Sequence, residues 1–279
     1  MPSATTSQLT TCDIRVLGQR FRVAIRPGDG TRTPLLLMNG IGVGLELLRP
    51  LVDALDPAIE VIRFDAPGVG GSPTPPLPYR FPALAYLVER LLDQLGYERV
   101  DALGVSWGGA LAQQFARQYP QRCRRLVLAA TSTGAIMVPG RPSALSKMIT
   151  PRRYLSPTFM QKAAGAIYGG EARRNPQLMS AHTSRIIAPQ FMGYLYQLFA
   201  GMGWTSIHWL HRIRQPTLVM AGSDDPLVPP VNARIISLLI PNNRLFIVPG
   251  GGHLFMLYSL DKVVPEVRGF LDSASPAAG

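Results

Sequence analysis

The chain has 279 residues, of which 47% are hydrophobic, so it can bury a large core as one domain with an insertion. Lysine and arginine outnumber aspartate and glutamate by 28 to 17, a formal charge of +11, but no nucleic-acid motif accompanies this excess and no nucleic-acid partner is expected. No apolar run approaches the roughly 18 residues that a membrane-spanning helix needs, so no transmembrane segment is predicted.

Two features favour the cytoplasm. Cys12 and Cys123 lie far apart and are expected to be reduced thiols, as in cytosolic proteins. Residues 1–11 have neither a positively charged region nor an apolar core, so they do not resemble a secretory signal. The sequence leaves the oligomeric state open.

Four short strands are predicted early in the chain, over Cys12–Leu17, Phe21–Ile25, Leu35–Met38 and Ile59–Phe64. The third strand is followed by Asn39-Gly40-Ile41-Gly42-Val43-Gly44 and by a helix predicted over Leu45–Leu55. Small residues in this loop let backbone N–H groups face a developing negative charge, and the N–H of Ile41 is the predicted donor. The glycines are spaced G-x-G-x-G rather than G-x-G-x-x-G, so a dinucleotide-binding loop is not favoured.

The most informative motif is Gly104-Val105-Ser106-Trp107-Gly108, which joins a buried strand, Val100–Leu103, to a helix, Gly109–Ala116. A serine between glycines at a strand-to-helix turn is typical of the nucleophile elbow, where a tight turn exposes the hydroxyl beyond the sheet. Ser106 is therefore the predicted nucleophile, and the N–H of Trp107 is the second predicted oxyanion donor. The alternative is a glycine-rich turn in which Ser106 only caps the helix.

Residues 134–212 interrupt the alternation of strands and helices with helical patches, several prolines and no clear strand. We call this segment the lid, because it is predicted to lie over the sheet edge that carries Ser106. Six of the ten methionines fall in it: Met137, Met148, Met160, Met179, Met192 and Met202. Methionines and aromatic residues here predict a deformable apolar pocket, and a small helical core is a compatible interpretation. The candidate substrate-binding residues are Asn39, Met202, Trp204 and Trp209.

Positive charge is concentrated in the lid. Between Arg141 and Arg185 there are eight basic residues and one acidic residue, Glu171, a net charge of +7. This excess predicts either a solvated surface or a face that meets the anionic coat of a particle. Nucleic acid is disfavoured, because the stretch has no continuous basic run.

The partners that a serine nucleophile needs follow in the order Asp, His. Pro216–Ala221 is an apolar strand pattern, and it runs into Gly222-Ser223-Asp224-Asp225-Pro226. Asp225 is favoured as the orienting acid, because the proline after it biases its backbone toward an extended conformation. Asp224 is better explained as a cap of the helix that starts near Val231.

His253 is the predicted base among the four histidines of the chain. It follows a predicted strand, Arg244–Val248, and precedes a helix over Val263–Leu271, which places it at the same sheet edge as Ser106. An imidazole that titrates near neutral pH can take the serine proton and return it to the leaving group.

No metal or organic cofactor is predicted. His208 and His211 lie three residues apart, but no Asp, Glu or Cys nearby would complete a metal site. We interpret both as helix-packing residues.

The predicted elements alternate as strands and helices on both sides of the lid. This alternation implies an α/β fold, a mostly parallel central sheet with helices on both faces. Residues 1–133 and 213–279 are assigned to this core, and residues 134–212 to the helical lid.

Together these motifs resemble the α/β-hydrolase superfamily, and over about residues 35–271 the chain resembles one branch, the intracellular medium-chain-length poly(3-hydroxyalkanoate) depolymerases. The stretches that carry the likeness are Asn39–Gly42, Phe64–Ser72, Pro78–Pro82, Gly104–Phe115, Ala129–Gly134 and Leu198–Leu210. The last of these, in the lid, is the discriminating one, because many hydrolases share the other motifs. Asn39-Gly40 replaces the His-Gly of many relatives, which fits this branch. A departure is the extra glycine in Gly250-Gly251-Gly252, which predicts a looser loop before His253.

The resemblance implies a serine hydrolase with an α/β-hydrolase fold that cleaves the ester bonds of a storage polyester at its granules in the cytoplasm. Ser106 would attack the ester, His253 would act as base, Asp225 would orient it, and the N–H groups of Trp107 and Ile41 would bind the oxyanion. Three alternatives stay open: a general carboxylesterase, a perhydrolase or acyltransferase, and a non-catalytic binding protein on the same fold. The polymer's side-chain length and endo or exo cleavage stay open too.

Overall fold

The computed structural model describes residues 10–150, 156–175 and 190–273. Within these ranges one sheet is formed by β1 (Thr10–Val16), β2 (Gln19–Arg26), β3 (Leu35–Met38), β4 (Val61–Phe64), β5 (Val100–Val105), β6 (Cys123–Ala129), β7 (Thr217–Gly222) and β8 (Asn243–Val248). The strands are hydrogen-bonded in the order β1-β2-β4-β3-β5-β6-β7-β8. β2 is antiparallel to β1 and β4, and the other neighbouring pairs are parallel. The predicted mostly parallel sheet is confirmed.

Helices cover both faces of the sheet. In chain order they are α1 (Arg49–Ala54), α2 (Phe81–Gln94), α3 (Trp107–Gln118), α4 (Pro142–Ile149), α5 (Pro157–Tyr168), α6 (Gly170–Arg174), α7 (Phe191–Gly201), α8 (Pro230–Leu239), α9 (Phe255–Tyr258) and α10 (Leu260–Asp272). α2, α3 and α8 pack on one face, and α1, α9 and α10 on the other. Alternate residues of β3 enter the two cores, Leu36 and Met38 the first, Leu35 and Leu37 the second, because strand side chains have a period of two. The four apolar residues of this strand are therefore all buried.

Several element boundaries differ from the prediction, and two of these differences have a local reason. The helix predicted over Leu45–Leu55 begins only at Arg49, because Pro50 lacks an N–H and is tolerated only in the first turn of a helix. β1 ends before Leu17-Gly18, because these two residues form a tight hairpin turn with φ of 48° and 85°.

The described part of the lid is helical and has a small core of its own. Residues of α4, α5 and α6 pack together there, among them Met160, Ile167 and Tyr168. The two ends of the segment meet where Gly134 and Thr205 form an isolated β-bridge. Residues 151–155 and 176–189 of the lid lie outside the described residues. Met179, which was predicted to contribute to the apolar pocket, is one of them. The boundaries of the lid as a separate unit remain a prediction.

No helix in the described ranges is both long and apolar enough to cross a membrane. Nor do these ranges contain a group of three His, Cys, Asp or Glu side chains that could hold a metal ion. The interpretation of His208 and His211 as helix-packing residues is wrong, because both side chains are exposed. Cys12 and Cys123 are both free thiols.

Candidate active site

Ser106 lies at the turn between β5 and α3, in a backbone conformation that residues with a side chain rarely adopt. Its φ is 56° and its ψ is −117°, so the turn is sharp and the hydroxyl projects beyond the sheet. Glycine is required on both sides, because a Cβ at Gly104 would collide with the backbone of Gly108, and one at Gly108 with the carbonyl oxygen of Met38. The Ser106 hydroxyl makes no capping hydrogen bond to α3, so the interpretation of Ser106 as a helix cap is wrong.

The imidazole of His253 lies between Ser106 and Asp225. Its Nε2 is 3.1 Å from the Ser106 Oγ, and its Nδ1 is 2.8 Å from the Asp225 Oδ2. Because a carboxylate only accepts hydrogen bonds, it fixes the proton on Nδ1 and leaves the lone pair of Nε2 facing the serine hydroxyl. His253 is 6% exposed and Asp225 is 5% exposed, so little water competes for these bonds. The structure brings the three residues together in one hydrogen-bonded chain.

The two neighbouring carboxylates have separate partners. The Oδ1 of Asp225 accepts from the N–H groups of the second and third residues after it, both at 2.9 Å, which holds the carboxylate rigidly. Asp224 points toward the lid, where it accepts from the Gly170 N–H at 2.8 Å and pairs with Arg173 at 3.0 Å. The prediction that Asp224 caps the helix after it is therefore wrong. Its side chain ties the lid to the loop after β7.

The loop that carries His253 is held firmly, although its consecutive glycines predicted a looser one. The His253 N–H donates to the Tyr168 carbonyl at 2.7 Å. A Cβ at Gly252 would collide with the backbone of Tyr168 and Gly169, so the glycine lets the lid approach this loop closely. The Tyr168 ring lies nearly parallel to the imidazole, at 14° and with 6.5 Å between centroids. The sequence analysis did not predict a role for Tyr168. The two glycines after it, Gly169 and Gly170, were the available signal that the lid backbone lies close to another loop.

Two backbone N–H groups beside Ser106 are available to bind a developing negative charge. Trp107 is the first residue of α3, so its N–H has no acceptor within the helix. Ile41 lies in the loop that passes in front of the serine, where a Cβ on Gly40 would be 3.7 Å from the Ser106 Cβ. Neither N–H donates to any other residue that the structure describes. The structure thus places Trp107 and the loop that contains Ile41 next to Ser106, and their role as oxyanion donors stays a prediction.

Two clefts meet at Ser106. The first, of about 60 Å³, is on the His253 side and is lined by Asn39, Ile41, Leu47 and Leu48 from the core and by Met148, Met160 and Tyr168 from the lid. The second, of about 280 Å³, is on the Trp107 side and is lined by Phe81, Trp107 and Val228 from the core and by Met137, Gly201 and Trp204 from the lid. Three of the lid methionines therefore line clefts that reach the serine.

Two of the four candidate substrate-binding residues line these clefts. Asn39 lines the first, and its Nδ2 donates to the Gly44 carbonyl at 2.9 Å. Trp204 lines the second. Met202 lines neither, because its side chain is turned to solvent and is 64% exposed. Trp209 packs edge-on against Trp204, with 5.9 Å between centroids, so the structure does not bring it to Ser106 either.

Gln197 of α7 also reaches the site, and the sequence did not predict it. Its side-chain Oε1 accepts from the Gly42 N–H at 2.7 Å, and its backbone carbonyl oxygen accepts from the Trp107 indole N–H at 2.9 Å. These contacts join residues 155 and 90 positions apart in the chain, so no local pattern marks them.

Comparisons with known proteins agree with this architecture. Residues 33–260 match the family model described as the alpha/beta hydrolase fold. The chain is 56% identical over 253 residues to a poly(3-hydroxyalkanoate) depolymerase of Ectopseudomonas oleovorans, an alignment that covers 91% of this chain and 89% of that protein.

Solved structures also match the fold of this chain. A hydrolase from Pseudomonas aeruginosa PA01 superposes with a TM-score of 0.77 at 25% identity, over 98% of this chain and 100% of that one. The enol-lactonase from Burkholderia xenovorans LB400 superposes with a TM-score of 0.79 at 23% identity, over 94% of this chain and 100% of that one. These matches confirm the resemblance that the motifs indicated. This chain belongs to the α/β-hydrolase fold family.

Proposed function

We propose that this protein is a serine hydrolase that cleaves the ester bonds of an intracellular poly(3-hydroxyalkanoate) with medium-length side chains, releasing 3-hydroxyalkanoate oligomers or monomers. The observation that carries the proposal is the hydrogen-bonded chain from Ser106 through His253 to Asp225, buried beside two clefts. The identity of 56% to a poly(3-hydroxyalkanoate) depolymerase supports a polyester of this class as the substrate.

The geometry supports acyl transfer through a covalent intermediate. The Ser106 Oγ attacks the ester carbonyl carbon while His253 Nε2 takes its proton, and the N–H groups of Trp107 and Ile41 hold the oxyanion. When the tetrahedral adduct collapses, the C–O bond to the alcohol breaks, and the leaving oxygen takes the proton from His253. Water then gives a proton to His253 and attacks the acyl-serine, which releases the acid and regenerates the hydroxyl. Asp225 holds the imidazole tautomer and stabilises the imidazolium.

The lining of the clefts suits an uncharged, branched polymer. Among the described residues, no Asp, Glu, Lys or Arg lines either cleft. Each repeat of the polyester carries one ester and one alkyl branch, so apolar walls on both sides of Ser106 can bind the repeats that flank the scissile bond. Flexible methionine side chains let such walls adapt to the branch length.

The test is release of 3-hydroxy acids from purified granules of two polymers, one with medium-length and one with short side chains, beside hydrolysis of a short nitrophenyl ester. We expect faster release from the medium-length polymer. Hydrolysis of the nitrophenyl ester alone would point to a general carboxylesterase instead.

The outer face of α7 is the surface that we assign to granule contact. The large apolar side chains of this face, which continues to Met202 directly after the helix, are between 37% and 70% exposed: Phe191, Met192, Leu195, Leu198 and Met202. Their spacing places them on one side of a helix with 3.6 residues per turn. α7 contains no charged residue, which matches the uncharged, apolar surface of such a polymer.

Part of the lid's basic excess is paired within the molecule. Arg173 contacts Asp224 at 3.0 Å and Arg174 contacts Glu171 at 2.8 Å. Arg152 and Arg153 lie outside the described residues. For these reasons we assign granule contact mainly to the apolar face, whose binding depends less on salt than contact with an anionic coat would.

Replacing Leu195 and Leu198 together by Gln should weaken granule binding roughly 30-fold, because burying part of each exposed leucine contributes on the order of 1 kcal/mol. Hydrolysis of a soluble ester should be unchanged. Co-sedimentation with granules measures the binding. The matched control is Leu238→Gln on α8, a leucine that is 86% exposed on another surface. An equal loss of binding in the control variant would contradict the assignment.

Activity should rise as the pH is raised from acid, since only the neutral form of a catalytic imidazole can accept the serine proton. The measurement is kcat/KM on a soluble ester, with circular dichroism to show that the protein stays folded across the range. A flat profile in folded protein would count against histidine as the base.

A further inference from the structure

Gln197 contacts both segments that supply the oxyanion donors. Its side-chain Oε1 accepts from the Gly42 N–H at 2.7 Å, and its backbone carbonyl oxygen accepts from the Trp107 indole N–H at 2.9 Å. The residue is 1% exposed, so water does not compete for either bond. We propose that Gln197 is a positioning residue of the oxyanion hole, which holds the N–H groups of Ile41 and Trp107 at the separation that a tetrahedral oxyanion requires.

The bond from Gly42 acts on the first donor. Gly42 has a φ of 71°, a left-handed conformation that glycine adopts at little cost. Its N–H belongs to the peptide that directly follows Ile41, and Gln197 is its acceptor among the described residues. With that acceptor gone, the loop is held less firmly on this side, and the adjacent Gly40–Ile41 peptide, which carries the Ile41 N–H, can shift. A displacement of about 1 Å is enough to slow a reaction up to a hundredfold.

The bond from the indole acts on the second donor. Trp107 supplies its N–H from the first turn of α3, and its side chain reaches from the same residue to α7. The indole also packs against Phe81, with 4.9 Å between ring centroids. The backbone of Gln197 therefore anchors the start of α3 from the lid, while its side chain anchors the loop on the opposite side of the serine.

α7 is docked independently of the Gln197 side chain. At its N-terminal end, the Oε1 of Gln190 accepts from the Thr74 hydroxyl at 2.5 Å. At its C-terminal end, the Arg80 guanidinium donates to the Phe199 carbonyl at 2.9 Å and lies 3.9 Å from the centre of the Phe199 ring. Removing the Gln197 amide should therefore leave the lid in place and disturb the loop alone.

The proposal rests on the serine-hydrolase chemistry proposed above, but not on the polyester as substrate, so a short soluble ester tests it. In Gln197→Met, which keeps the side-chain length and loses the acceptor, kcat should fall about 10- to 100-fold with KM within twofold, since removing a whole oxyanion donor costs about 10²- to 10³-fold. Affinity for a trifluoromethyl ketone should fall by the same factor as kcat/KM, because Ser106 converts that ketone into a tetrahedral oxyanion. Complete titration with a fluorophosphonate gives the concentration of reactive serines. Dividing the rate by that concentration gives a kcat that unfolded protein does not lower.

The matched control is Gln190→Met, at a glutamine of the lid whose Oε1 also bonds to the core but not to the oxyanion loop. We expect its kcat to stay within twofold of the parent. Equal losses in the two variants, or a raised KM with unchanged kcat in Gln197→Met, would overturn the proposal and leave Gln197 a structural residue.

If Gln197→Met does not fold, Trp107→Phe tests the other bond, since it keeps the backbone N–H and removes the indole donor. The proposal then predicts a lower kcat, and an unchanged kcat overturns it. Loss of activity in Ser106→Ala is expected whether or not Gln197 positions the hole. Activity retained in Ser106→Ala would instead overturn the proposed function.

Discussion

Ser106→Ala should lower kcat on any ester substrate by about 10⁶-fold, the scale of loss when the nucleophile of a Ser–His–Asp site is removed. This substitution removes only the hydroxyl group. Among the described residues its one hydrogen-bond partner is His253, so the fold should not depend on it. Alanine has the same Cβ as serine, so the positive φ at this position is no more strained in the variant.

Activity and fluorophosphonate labelling measure this result, and thermal unfolding is the control. We expect the parent protein to be labelled at Ser106, the variant to be unlabelled, and the two melting temperatures to agree. Turnover by the variant at a rate near that of the parent would refute a mechanism through Ser106.

Asp225→Asn should lower kcat by about 10⁴-fold, because an amide N–H₂ facing Nδ1 forces the imidazole into the tautomer that cannot accept the serine proton. Asn keeps an oxygen for the two backbone N–H groups that Asp225 now accepts from, so the loop should stay folded. Comparing the melting temperature with kcat therefore distinguishes loss of activity through the wrong tautomer from loss of activity through unfolding.

Asp224→Asn is the matched control, one residue away on the same loop. Its ion pair with Arg173 is partly exposed, with 27% and 45% of the two side chains accessible, and such pairs contribute about 0–1 kcal/mol. We expect less than a tenfold change in kcat. A larger loss from Asp224→Asn than from Asp225→Asn would reverse the assignment of the orienting acid.

The sequence was sufficient to predict the parts of the site whose geometry is set locally. Ser106 sits in a strand–turn–helix whose glycines are required by direct contact, and Asp225 and His253 each follow a strand of the same parallel sheet. Parallel strands end at one edge, so side chains just beyond them meet there. This is why three residues far apart in the sequence could be predicted to lie together.

The lid was less predictable, because its contacts depend on how helices face the core. Composition indicated an apolar pocket, and Met137, Met148 and Met160 do line the clefts. Composition could not indicate that Gln197 of α7 faces inward while Met202, directly after that helix, is turned to solvent. A buried glutamine that bonds to a loop 155 residues earlier has no local signature.

Covalent catalysis by Ser106 is tested most directly by the mass of the peptide that contains it, after a brief reaction with medium-chain-length polyester granules and an acid quench. We expect this peptide to gain the mass of one or more 3-hydroxyacyl units, and the gain to be absent in Ser106→Ala. A hydroxyacyl adduct on a peptide without Ser106, or steady release of 3-hydroxy acids from granules by Ser106→Ala, would contradict it.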